Sequence, residues 1–308
     1  MYLQRLTERL AQGIARLPQA ERDRHVSYVQ KAQNADGGFS GRLGGSDLYY
    51  TGFALRSLAV LGALTPEISA KAASFLRQSR QQHASVIDLF SLLYGCLLIQ
   101  TSGGPDALAD SPPDWPERVA ATLETFRTPD GGYAKAAGSS SGSTYHSFLV
   151  ALSYQLLSKA LPQPDRLAAF VESRCREDGG YVELAPMKRG GTNPTAAAVG
   201  LLQLLGDGRV PPELTESLSR FFIEMHGAEG GLRANGRIPA CDLLSTFTGC
   251  WTLAQLGSLH QLDSAPIRAY ARSLAQPGGG FRGNAWDDCT DVEYTFYGLG
   301  VLALFPEE

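Results

Sequence analysis

Apolar positions recur at spacings of three and four along residues 47–61, 144–157, 193–205, 242–256 and 291–305. Leu243, Phe247, Trp251 and Leu256 form one such row. Strict alternation is absent, so these stretches predict helices rather than strands. Just ahead of each stands an Asp, Ser, Thr or Asn able to cap free backbone N–H groups. Shorter apolar-periodic segments, such as 24–32 and 167–175, come earlier in each unit. Residues 1–21, opening MYLQRLTERLAQGIARL, read as an amphipathic helical extension.

Between the short and the long segment lies a recurring glycine pair. It appears as Asp36-Gly37-Gly38-Phe39, Asp130-Gly131-Gly132-Tyr133, Asp178-Gly179-Gly180-Tyr181, Glu229-Gly230-Gly231-Leu232 and Gly278-Gly279-Gly280-Phe281. The first glycines are spaced by 94, 48, 51 and 49 residues. The first gap is nearly double, so one unit has lost its pair, centred near residues 81–85. Glycine suits a turn that needs positive φ. Six units of about 48 residues follow over residues 22–305, with second helices starting near 47, 88, 144, 193, 242 and 291. The loop 102–111 reads as a surface insertion.

Twelve helices in alternating pairs can stack as an open, peptide-binding solenoid or close into a ring. The long helices carry Gly, Ala and aromatics throughout, as helices buried on all sides do. The expectation is therefore an all-α fold, one α/α (α6-α6) barrel or toroid of six helical hairpins spanning residues 1–308. Composition sharpens this. Net charge is −4, from 27 basic and 31 acidic residues, with no basic stripe, so a nonspecific nucleic-acid binder is not expected. The longest apolar runs, such as 196–205, are too short to span a bilayer. No secretory signal is evident at the N-terminus. Five scattered cysteines without a Cys-x-x-Cys motif suit a reducing cytoplasm.

In such a ring the inner helices are parallel, and their N-termini converge on one mouth that favours anions. Arg42, Lys135, Lys188, Arg189, Arg233, Arg237 and Arg282 fall in the adjoining loops, Arg237 only five residues before Asp242. Inner-helix aromatics would line the cavity: Tyr49, Tyr50, Phe53, Phe90, Tyr94, Tyr145, Phe148, Phe247, Trp251, Tyr294 and Tyr297. An anion-binding rim above an aromatic wall suits an isoprenoid diphosphate, and aromatic faces stabilise developing cations. Asp47, Asp88, Asp242 and Asp291 occupy equivalent helix starts, where capping is the plain role. The segment from Trp286 to Thr295 holds Asp287, Asp288, Asp291 and Glu293, enough to bind a metal or to keep one acid protonated. His146 also lies at an inner-helix start.

The repeated Gln33-Asn34-Ala35-Asp36-Gly37-Gly38-Phe39 pattern resembles the prenyltransferase and terpenoid-cyclase α/α barrel superfamily over nearly all of residues 22–305. The stretches EGGLRANGRIPACDLLSTFTGCWTLAQLG and PGGGFRGNAWDDCTDVEYTFYGLGVLAL are most similar to protein prenyltransferase β subunits, the Rab geranylgeranyltransferase type above all. That resemblance implies a transferase using a farnesyl or geranylgeranyl diphosphate and an α-subunit-like partner. It also implies a catalytic zinc held by an Asp, a Cys two residues later and a His one repeat on. These fall on Asp242, Leu244 and Tyr294. Cys241 and Cys289 are the nearest substitutes in sequence, and magnesium could accompany a diphosphate. The family's diphosphate-binding arginine lies nearest Arg237, and its neighbouring lysine falls on Pro239. Class II terpenoid cyclases are a second resemblance. Their Asp-x-Asp-Asp-Thr-Ala segment falls on Asp291-Val292-Glu293-Tyr294-Thr295-Phe296, which puts Glu293 at the proton donor. A noncatalytic lipid-binding or scaffold protein is the third expectation.

Overall fold

A computed structural model describes residues 1–80, 85–206 and 208–306. Helix α1 (Tyr2–Ile14) precedes six helical hairpins. Their outer and inner members alternate: α2 (Gln19–Lys31) and α3 (Leu48–Val60), α4 (Pro66–Ser79) and α5 (Val86–Thr101), α6 (Trp115–Glu124) and α7 (Thr144–Leu156). The second half continues with α8 (Pro164–Ser173) and α9 (Thr192–Leu205), α10 (Pro212–Glu224) and α11 (Leu243–Gln255), α12 (Ser264–Leu274) and α13 (Val292–Leu304). Each inner helix packs on the next, and α13 packs back on α3, so the ring is closed rather than solenoidal. The expected starts of the six inner helices fall within two residues of those observed. The only paired strands among the described residues are Phe281–Arg282 and Thr290–Asp291, which flank the last mouth loop. The lost glycine pair was placed at residues 81–85, and all of these but Ser85 lie outside the described residues.

The capping expectation holds with two corrections, the first being α9, whose N-cap is Gly191 with no side-chain cap while Thr192 donates its hydroxyl to the Arg233 carbonyl. Asp47, Asp242 and Asp291 accept hydrogen bonds from the backbone N–H of Tyr50, Ser245 and Tyr294. Ser85 and Ser143 do the same for α5 and α7. Asp88 is not a cap: it sits three residues inside α5 and accepts the hydroxyl of Ser85 at 2.7 Å, completing a reciprocal capping pair.

The glycine pairs hold successive hairpins together. The first glycine has positive φ, +93° at Gly131 and +97° at Gly230, and its Cα faces the backbone of the next outer helix. A Cβ on Gly131 would lie 2.6 Å from the carbonyl oxygen of Arg166, and one on Gly230 would lie 2.6 Å from that of Pro266. The second glycine makes room for an aromatic ring of that same helix: Phe75, Phe170, Phe221 or Tyr270. The series closes on itself. Gly279 faces the Arg24 carbonyl and Gly280 faces the Tyr28 ring, so the sixth turn packs on the first outer helix. His25 accepts the Gly280 N–H at 3.1 Å and stacks on Phe281, 4.7 Å between centroids. The sequence Pro116-Glu117-Arg118-Val119-Ala120-Ala121-Thr122 of α6 parallels Pro164-Asp165-Arg166-Leu167-Ala168-Ala169-Phe170 of α8. Where the glycine pair is lost, the matching ring is also lost, replaced by Thr122.

Helix α1 belongs to the opposite end. It crosses α13 and α3, with Gly13 pressed on the backbone of Ala303. Tyr2 meets the edges of Phe148 and Trp251 and accepts the Trp251 indole N–H at 3.0 Å. Its backbone N–H donates to Gln155, and Thr7 bonds Tyr94 at 2.8 Å. Tyr94, Gln155 and Trp251 lie past the midpoints of α5, α7 and α11, so α1 floors the ring. Buried Leu3, Leu6, Leu10 and Ile14 hold it there, each contributing roughly 1.5–3 kcal/mol.

Gly230→Ala and Gly44→Ala separate the two roles of glycine. Both positions have positive φ, but a Cβ at Gly44 meets nothing within 4 Å. Urea unfolding should show a loss of about 1 kcal/mol for Gly44→Ala and at least about 2 kcal/mol for Gly230→Ala.

Candidate functional site at the barrel mouth and lumen

Three of the inner helices start beneath a loop of the following hairpin. Thr144 N–H donates to the carbonyl of Glu183, Thr192 N–H to that of Ala234 and Leu243 N–H to that of Gly283. The first and last units are joined by a charged contact. Arg42 donates from Nε to Asp291 at 2.7 Å, and from Nη1 and Nη2 to the two oxygens of Asp287 at 2.9 and 2.5 Å. The Asp291 side chain is only 2% exposed. Arg42 is thus a ring fastener. Burial pulls the Asp287 carboxyl up, but the Arg42 guanidinium and two backbone N–H groups outweigh it and hold it below the usual range.

Three of the seven expected rim cations, Arg42 among them, are spent on protein partners. Arg233 donates to the carbonyls of Glu224 and Met225, and Arg282 to those of Asp287 and Ser273. Both brace their own loops. Arg237, Lys188, Arg189 and Lys135 are exposed on the mouth loops and form no ion pair among the described residues. His146 is tied into a cap: Ser143 donates to Glu183, which leaves His146 Nδ1–H to donate to Ser143 at 2.7 Å. Burial, then the nearby Lys135 charge, pull the His146 pKa down.

The zinc expectation meets residues that do not fit. Asp242 caps α11 and spends both oxygens on Ser245, N–H and hydroxyl, at 2.7 and 2.8 Å. Leu244 and Tyr294 fill the other two places. Cys241 is buried against Gly227, with its thiol pushed up to about 11 by burial and Glu229, and Cys289 is exposed on another loop. Among the described residues no group of three or more His, Cys, Asp or Glu side chains converges as a metal site. Asp287 and Asp291 share the single cation of Arg42, whose donors occupy both Asp287 oxygens and one oxygen of Asp291.

Inside the ring the picture is different. Glu293, in the first turn of α13, accepts the hydroxyls of Tyr49 at 2.6 Å and Tyr297 at 3.3 Å, both on Oε1. Its Oε2 has no hydrogen-bond partner among the described residues and is not sealed from solvent. Burial is the largest cause raising the Glu293 pKa, and Asp291 adds to it; the two phenols and Arg56 oppose. Tyr145, at the start of α7, is partly exposed at the mouth. Around this acid the aromatic wall is continuous. Phe53 meets Tyr49 at 5.0 Å and Tyr297 at 5.3 Å, and Tyr297 meets Phe247 at 5.6 Å. Tyr294 and Tyr50 sit higher, half-buried, the first under Arg42 and the second against Gly41. Trp251 is lowest, at the floor.

Arg56 was not anticipated. Its guanidinium lies 4.5, 5.2 and 5.0 Å from the centroids of Phe53, Phe90 and Tyr94. It has no hydrogen bond or ion pair among the described residues, and its Nε is fully buried. The available signal was a single charge within the otherwise apolar run LYYTGFALRSLAV.

The fold and this chamber define an α/α toroid with one acid set among phenols and aromatic faces. A family model of the prenyltransferase alpha-alpha toroid domain matches residues 6–181, 96–235 and 197–308, and the chain belongs to that family. The protein geranylgeranyltransferase-I of Candida albicans, solved with GGPP, is similar in fold: TM-score 0.73, 14% identity, covering 92% of this chain and 90% of that one. The type II terpene cyclase MstE from Scytonema has TM-score 0.62 and 14% identity, and 97% of each chain is covered. The GH76A alpha-1,6-mannanase from Salegentibacter sp. HEL1_6 has TM-score 0.63 and 12% identity, covering 92% and 98%. No curated protein matches the chain in sequence. Among the described residues no helix is long and apolar enough to cross a membrane.

Arg42→Met would leave Asp291 buried without its cation. Unfolding free energy should fall by about 2–3 kcal/mol, and Arg42→Met with Asp291→Asn should recover part of it. Urea denaturation of the three proteins checks this.

Proposed function

We propose that this chain is an acid-initiated cyclase of an isoprenoid substrate, with Glu293 as the general acid. The observation that carries the reading is the one-sided bonding of Glu293. Tyr49 and Tyr297 both address Oε1, so in the protonated carboxyl Oε1 is the acceptor and the proton resides on Oε2. Burial favours that neutral form. The Oε2 proton adds to a terminal alkene or epoxide, and the positive charge moves onto the substrate's more substituted carbon. Nearby double bonds then close rings onto that carbon. The faces of Phe53, Phe247 and Tyr297 stabilise the travelling charge, and the aromatic wall limits capture by water. Loss of a proton from the final cation restores neutrality. The full-length fold likeness to a type II terpene cyclase of one-barrel size is consistent with this reading.

A zinc-dependent prenyl-diphosphate transferase is less well supported. Two of the three ligand places hold Leu244 and Tyr294, and the rim arginines Arg42, Arg233 and Arg282 are already bonded within the protein. What that reading shares with the first is an isoprenoid in an aromatic lumen, and no observation favours an α-subunit-like partner. A noncatalytic isoprenoid binder shares it too, and turnover separates the two.

Linear polyprenyl substrates, with and without a diphosphate, should be converted to cyclic products by the wild type. Glu293→Gln keeps the shape but lacks the proton and should lower the rate by at least about a hundredfold, with Asp242→Ala affected far less. Retention of full cyclisation by Glu293→Gln would sink the assignment; binding without any turnover by the wild type would point to the noncatalytic reading.

The pH dependence has a definite sign. Activity needs protonated Glu293, so it is present below the Glu293 pKa and lost as pH rises through it. Arg56 lowers that pKa, so Arg56→Gln should move the alkaline limb of the rate profile to higher pH. A shift to lower pH would show that Arg56 does not act on this acid.

A further inference from the structure

Large apolar side chains that stand exposed are concentrated at one end of the ring. Among the described residues they are Met1, near the floor, and six at the mouth: Leu43, Tyr145, Leu184, Met187, Ile238 and Trp286. Leu43 is 92% exposed and Trp286 81%. Apart from Tyr145, at the start of α7, they sit on four mouth loops, those of the first, fourth, fifth and sixth hairpins, with Leu184 and Met187 sharing one. These loops stand clear of the barrel: a Cβ on Gly44, Gly45, Gly138 or Gly236 meets nothing within 4 Å.

The charge of the same loops is opposite to that of the chain. Residues 40–46, 134–142, 182–190, 233–241 and 282–289 carry seven basic and three acidic residues, whereas the whole chain has 27 and 31. Lys135, Lys188, Arg189 and Arg237 form no ion pair among the described residues. Single apolar tips spaced around a ring, with cations between them, do not make the contiguous patch a protein partner would cover. They suit a bilayer interface, which takes each tip separately, seats Trp at headgroup depth and attracts Lys and Arg through anionic lipid.

We propose that the mouth of the barrel docks on an anionic lipid surface, with Leu43, Ile238 and Trp286 inserted at headgroup depth and Lys188, Arg189 and Arg237 on the lipid phosphates. The lumen would then open onto the phase in which a long isoprenoid dissolves. This consequence rests on the proposed function; the docking itself does not.

Co-sedimentation of the full chain tests it, with vesicles of phosphatidylcholine alone and of phosphatidylcholine mixed equally with phosphatidylglycerol. The wild type should partition onto the mixed vesicles, and less so as salt is raised. Leu43→Ser with Trp286→Ser should weaken partitioning by about tenfold or more with an unchanged melting temperature. Lys188→Gln, Arg189→Gln and Arg237→Gln together should remove the salt-dependent part. Glu293→Gln should bind as the wild type does, so that a wrong acid assignment and an undocked mouth are told apart. Three outcomes would overturn the proposal: no binding to mixed vesicles, binding indifferent to the crown substitutions, or a change of oligomeric state on those substitutions in light scattering without a change in vesicle binding.

Discussion

A turn backbone with no side chain in the way, pressed against the next outer helix, is the contact on which the ring depends. The first glycine of each pair lets the chain reverse at positive φ and brings its Cα against a helix carbonyl. The second leaves a space that an aromatic ring of that helix fills. The contact is directional, from one hairpin to the next, so repeating it rotates each unit by the same sense. Over six hairpins, five of them carrying the pair, the series returns to the start, where Gly279 and Gly280 meet α2. The loss of the pair near residues 81–85 and of its ring at Thr122 shows the two as parts of one contact. One such junction can be dispensed with because the inner helices still pack α3 on α5 and α5 on α7.

Closure has a chemical consequence. It turns the inner faces of six helices toward one another, and it makes residues from distant units neighbours. Tyr49 and Glu293 are 244 positions apart and share a 2.6 Å hydrogen bond. Helix α1 covers one end of the ring, and the Arg42 fastener joins the first and last units at the other. A carboxyl held there loses water on most sides, which raises its pKa, while two phenols fix the oxygen that accepts. Arg56 moderates the shift without pairing, because aromatic faces rather than carboxylates surround it. The acid is therefore both tunable and oriented, as proton donation requires.

Much of the fold was legible because it is written in local terms. Helix period, capping residues and glycine turns act within a few positions, and the inner-helix starts were read to within two residues. Asp88 was misplaced by three positions because Ser85 is an equally good cap and competes for the same role. The rim was harder. Arg233 and Arg282 look like free cations in sequence, yet each spends its donors on carbonyls that only the folded loop brings near. His146 looks like a lumen base until Ser143 and Glu183, 40 positions apart, are joined. Arg56 stood in plain view as a lone charge in an apolar helix, but which way it points depends on the neighbours of α3.

The sequence by itself determined the six-unit period, the helices, the turns between them and an acid at the start of the last inner helix, since each depends on residues close in the chain. The tertiary structure decided which of the candidates share a space. It made Arg42 a fastener, spent both oxygens of Asp242 on Ser245, and joined Glu293 to Tyr49 and Tyr297. Those outcomes arise from ring closure, a contact between the first and last units whose geometry no local pattern specifies.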